Sequence, residues 1–94
     1  SGYSVFPEEV ESILIKHPAI AQVAVLAEAD AEKGEVVKAF IVKKPSAQLA
    51  ADELVAWCRD NMAPYKVPRH VRFIDALPAT GAGKVLRRLL KDSA

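Results

Sequence analysis

The chain has little that could hold it together covalently or anchor it in a membrane. It has one cysteine, Cys58, among 94 residues, so no intramolecular disulfide can form. No cluster of histidines and cysteines around Cys58 has metal-ligand spacing. A lone thiol suits a reducing, cytoplasmic setting. No apolar run approaches the ~20 residues of a membrane helix, and no basic stretch followed by an apolar one opens the chain as a leader. Charge of one sign is also lacking. The formal net charge is +1, so nothing global argues for nucleic acid or an anionic bilayer. There are no repeats and no low-complexity segments.

What is present is ordinary for a globular domain: 51% apolar and 27% charged residues. The length suits one domain, and a chain this small is expected to have modest stability. It opens at Ser1-Gly2-Tyr3 without a methionine, which is expected of a piece cut from a longer protein.

Periodicity divides the chain into short elements. Pro7-Glu8-Glu9-Val10-Glu11 reads as a helix start: proline suits the first position and the glutamates face the positive end of the helix dipole. Phe6, Val10, Ile13 and Leu14 form its apolar stripe, Lys16 and His17 sit near its negative end, and Pro18 stops it. Ile20 to Leu26 and Val36 to Lys43 read as strands joined through Gly34 in an antiparallel hairpin. Asp52 to Met62 reads as a second helix burying Leu54, Trp57, Cys58 and Met62. Two close prolines exclude regular structure from Ala63 to Pro68. His70 to Ile74 alternates as a third strand, Leu77 to Gly83 is a loop, and Val85 to Lys91 a terminal helix. The expected class is α+β: a small antiparallel sheet of about three strands, with an N-terminal hairpin-like segment, packed with about three helices.

Chemistry could reside in few places. In Pro78-Ala79-Thr80-Gly81-Ala82-Gly83-Lys84, two glycines precede a lysine, which suits close approach to a phosphate or carboxylate. It is not a Walker A loop, because Pro78 stands at the first glycine and Val85 at the Ser/Thr. An ordinary loop with a solvated lysine accounts for the same residues. Tyr65 and Lys66, between Pro64 and Pro68, could hold an anion, or could be a packing ring beside an exposed lysine. Gly34 could simply supply a positive backbone angle at a turn. His17 and His70 lack partners that imply catalysis, Trp57 and Cys58 read as core, and Arg87, Arg88 and Lys91 read as a solvated helix face.

Four segments, taken in order, resemble the C-terminal domain of the adenylate-forming enzymes, which include acyl-CoA synthetases, peptide-synthetase adenylation domains and luciferases. They are Ser1 to Glu11; Lys33-Gly34-Glu35; Tyr65-Lys66-Val67-Pro68; and Leu77-Pro78-Ala79-Thr80 with Gly83-Lys84-Val85 and Arg87. The resemblance implies a two-step reaction. A carboxylate attacks the α-phosphate of ATP, supplied with Mg2+, and a thiol, usually that of CoA, then takes the acyl group and releases AMP. It also implies that the C-terminal domain rotates between the steps. Lys84 would be the adenylation lysine, a cation that offsets repulsion between carboxylate and triphosphate. Gly83, Arg87 and Thr80 would support its loop, and Gly2 and Tyr3 would form the loop used in the thioester step. Lys33, Gly34, Tyr65 and Lys66 would lie where relatives can contact CoA. Ala82 departs from the Ser or Thr common there, and the hinge residue expected before Ser1 is not in the chain.

The resemblance is nearest to acid–CoA ligases of the fatty-acyl-CoA synthetase kind, by Phe6 to Glu11 and by Lys84-Val85-Leu86-Arg87-Arg88. On that reading the partner is an N-terminal domain not in this chain, the substrates are a carboxylic acid, ATP and CoA, and the chain alone is inactive. A ligase that loads a carrier protein, a freestanding nucleotide- or protein-binding module, and a purely structural role remain open alternatives.

Overall fold

A computed structural model describes residues 6–32, 34–77, 88 and 90. Helix α1 spans Pro7–Leu14, strand β1 Ile20–Asp30, strand β2 Gly34–Lys43, helix α2 Ala51–Asn61 and strand β3 His70–Phe73. A single 3-10 turn, Pro64–Lys66, lies between α2 and β3. The α+β class is as expected. The terminal helix expected at Val85 to Lys91 lies outside the described residues except for Arg88 and Leu90, which are helical.

Helix α1 begins as its sequence dictates. Pro7 stands in the first turn with Glu8 and Glu9 beside it, and the Phe6 carbonyl accepts from the Glu9 and Val10 amides at 3.0 and 3.3 Å. The helix ends at Leu14, and His17 does something other than offer a charge. Its Nδ1 accepts from the Ala19 amide at 3.0 Å, and its ring meets Trp57 edge-on at 5.0 Å. Through that acceptor the ring closes the turn into β1. In α2, Glu53 reaches back to the Ala50 amide at 3.0 Å, the half of a capping box that an alanine permits.

The hairpin is longer than its apolar runs suggested. β1 and β2 pair antiparallel from Ile20↔Lys43 to Asp30↔Gly34, taking in Glu28 and Glu35. Gly34 has φ 84°, the left-handed conformation that a side chain resists. The sheet order is β1-β2-β3, and β3 runs parallel to β2, so the sheet is mixed. The reason is the connection: residues 44–69 include α2, and a crossover of that length returns the chain to the end from which β2 began.

Both faces of the hairpin are apolar. One carries Val25, Val37, Ala39 and Ile41, covered by Val10 and Leu14 of α1, Leu54 and Cys58 of α2, and Val67. The other carries Ala24, Leu26 and Phe40, covered by Leu90, with Ile74 and Leu77 packed beside it. As an edge strand β1 has an unpaired side, and Glu11 of α1 accepts from the Val25 amide there at 2.8 Å.

Phe40 is 2% exposed and is the largest side chain of the second layer. Phe40→Ala should therefore cost about 3–5 kcal/mol, a large share of a small domain's stability, read as a lowered midpoint in urea unfolding.

Candidate functional site

Of the residues that the sequence marks as functional, the described structure contains Gly34, Tyr65 and Lys66. Gly2, Tyr3, Lys33, Thr80, Gly83, Lys84 and Arg87 lie outside the described residues. Gly34 is accounted for by its turn. Tyr65 and Lys66 occupy the 3-10 turn, set there by Pro64 at its start and Pro68 just beyond it. Tyr65 is 38% exposed, and the Lys66 ammonium lies 5.6 Å from the centre of its ring.

Lys66 is not a free cation. Its Nζ donates to Oε1 of Glu9, from the first turn of α1, and its side chain is mostly covered. That hydrogen bond holds the Lys66 pKa above its ordinary 10.5, against the lowering effect of burial and with lesser support from the charge of Glu9 and from Tyr65. The first and third segments of the resemblance thus meet in space through one ion pair, which a sequence separation of 57 had hidden.

Beside the turn lies a shallow cleft of about 380 Å³, lined by Val55, Arg59, Pro64, Val67, Pro68 and Arg69. Its lining combines two valines and two prolines with two arginines. Arg69 is fixed at its backbone, where its amide donates to the Val37 carbonyl at 2.9 Å. An apolar seat with two planar cations suits a ligand that has a flat or aliphatic part and phosphate or carboxylate groups. Neither arginine stood out in the sequence. Arg59 reads as one more polar position of α2, and Arg69 follows the proline motif without being part of it; only their meeting across the crossover gives them meaning.

Other titratable groups do structural work. Glu28 lies 3.8 Å from both Lys38 and His70, a loose set across the three strands. Among the described residues no three His, Cys, Asp or Glu side chains are grouped to hold a metal, and no helix is long and apolar enough to cross a membrane.

Comparison with known proteins decides the family. Residues 9–84 match the model of the AMP-binding enzyme C-terminal domain. The chain belongs to that family. Over all 94 residues this AMP-binding C-terminal domain is 43% identical to a long-chain-fatty-acid–CoA ligase of Escherichia coli, of which it covers 17%. It is 46% identical over 89 residues to the long-chain-fatty-acid–CoA ligase of Bacillus subtilis, covering 95% of this chain and 16% of that one. Among solved structures, the acyl-CoA synthetase of Brucella canis superposes with a TM-score of 0.84 at 35% identity, over 99% of this chain and 18% of that one. The chain thus spans less than a fifth of the length of these relatives.

Cys58 is excluded as a nucleophile by its surroundings. It is fully buried, and desolvation pushes its thiol from 9.0 up to about 11. A raised pKa favours the protonated thiol in the folded state. Its contribution is therefore complete below about pH 9 and is lost as pH rises through about 11. Urea unfolding between pH 8 and 11 should show this decline, and Cys58→Ala should flatten it. In the native protein Cys58 should resist a thiol reagent at pH 7 and react only on unfolding.

Proposed function

We propose that this chain is the mobile C-terminal domain of an AMP-forming acid–CoA ligase of the fatty-acyl-CoA synthetase kind, and that Lys84 is its adenylation lysine. The observation that carries the reading is the family match from Glu9 to Lys84, together with relatives named as fatty-acid–CoA ligases at over 40% identity. The whole enzyme would include an N-terminal domain holding the acid and ATP.

In the first step a carboxylate oxygen bonds to the α-phosphorus of ATP as the bond to pyrophosphate breaks. Two anions must meet, and the Lys84 ammonium, brought in on a loop opened by Gly83, offsets their repulsion and orients the attack. Arg87 and Thr80 brace that loop. ATP enters with Mg2+, and among the described residues no three His, Cys, Asp or Glu side chains are grouped to hold the ion. In the second step the CoA thiol attacks the acyl carbonyl and AMP leaves. Gly2 and Tyr3 serve that step after the domain rotates.

For CoA, the cleft with Arg59 and Arg69 is the described feature best suited to a nucleotide bearing phosphates. Lys66 is engaged by Glu9 and is less suited to that contact.

Both half-reactions should be measured in the full-length parent. Lys84→Ala should slow acyl-adenylate formation by about 10²–10³-fold while thioester formation from supplied acyl-adenylate persists. Unimpaired adenylation would return the chain to the binding-module or structural readings. Arg59→Ala and Arg69→Ala should each raise the KM for CoA about tenfold and leave adenylation unchanged. Supplying a carrier protein in place of CoA tests the other acceptor.

A further inference from the structure

Lys66 of the Tyr-Lys turn follows Tyr65, and Glu9 of α1 lies six residues after Tyr3, to which the proposed reading gives a part in the second step. The segment containing Gly2 and Tyr3 runs into α1. The turn and the helix come from opposite ends of the fold, and the Glu9–Lys66 pair joins them directly.

We propose that the Glu9–Lys66 ion pair is a positioning latch for the thioester step, holding the first turn of α1 against the turn that presents Tyr65. The latch rests on the ligase reading above. Three observations support it. Lys66 has its aliphatic stem covered and its ammonium shared between the Glu9 carboxylate and the Tyr65 ring, so its position is determined from both sides. The Glu9 amide is itself the first of the two that donate to the Phe6 carbonyl, so fixing Glu9 fixes where the chain enters α1. Phe6 at that entry is 62% exposed and belongs to neither core cluster of the described residues.

The pair is not needed to fold the domain. Val10 and Leu14 bury the inner face of α1, and Glu11 binds the Val25 amide. A half-exposed surface pair adds little to global stability. Its consequence is geometric, and a displacement of about 1 Å in a reacting complex can cost up to ~100-fold in rate.

The latch and a direct CoA contact by Lys66 make opposite statements about Glu9. If Lys66 bound a CoA phosphate, Glu9 would compete for it, and Glu9→Gln would leave CoA binding unchanged or improve it. If the pair is a latch, Glu9→Gln and Lys66→Met should be equivalent. In the full-length parent, each should slow thioester formation from supplied acyl-adenylate about ten- to hundredfold. The loss should fall in kcat with the KM for CoA little changed, and acyl-adenylate formation should be kept. The exchanged pair Glu9→Lys with Lys66→Glu should recover most of the loss.

A silent Glu9→Gln, a Lys66→Met effect confined to the KM for CoA, an exchanged pair that recovers nothing, or an equal fall in both half-reactions would each overturn the latch. Lys84→Ala in the same parent separates this from failure of the ligase reading. If Lys84→Ala slows adenylation while the Glu9 variant is silent, the latch alone falls; if Lys84→Ala is silent, the reading and the latch fall together.

Discussion

A β-strand turns alternate side chains to opposite sides, and in the β1–β2 hairpin both sides are apolar. Everything else in the fold follows from covering two faces with few residues. A one-sided antiparallel sheet would be satisfied by the two helices and could leave its other face to water. Here Phe40, Leu26 and Ala24 demand a second cover, and the chain supplies it from beyond β3, with Ile74, Leu77 and Leu90. The crossover that brings α2 over the first face also delivers β3 parallel to β2, so one connection both covers the core and sets the sheet order.

This arrangement explains what the sequence disclosed and what it withheld. The α1 start was legible because proline and a run of glutamates act locally at a helix N-terminus. The strands were legible as β-branched runs, but too short, because Glu28 to Asp30 and Gly34 to Glu35 pair by backbone and look polar. The direction of β3 was not legible. Alternation in His70 to Phe73 reads the same either way along the sheet, and the crossover alone decides it. Gly34 was legible as a turn residue because positive φ is a local requirement.

The site was legible by resemblance and hardly at all by chemistry. Lys66 as a single residue is a cation between prolines, equally suited to a ligand or to solvent. Its partner is 57 positions away, and no local rule connects them. The same holds for Arg59 and Arg69, which meet only because α2 ends where the chain turns into β3. His17 is a local case of the same kind: its place after a helix is legible, but the acceptor it offers to the Ala19 amide is seen only in the fold.

On the proposed reading the domain rotates between two steps, and it would have to carry two working surfaces on one body without either disturbing the other. The hairpin is suited to that task. Phe6 leads into α1 on the first face, and Leu77 and Leu90 pack on the second. Between them lie two strands paired along nearly their whole length, close-packed on both sides and so resistant to bending. Rotation as a rigid unit would then require that the entry to α1 be tied to this slab by contacts that add position without adding much stability. Large apolar contacts there would favour one docked state over the other. An ion pair at the surface has the opposite balance, with its geometry directional and its net free energy small. The Glu9–Lys66 pair fits that requirement, which is why its value is sought in the division of rate between two half-reactions, where a purely structural contact would lower both alike.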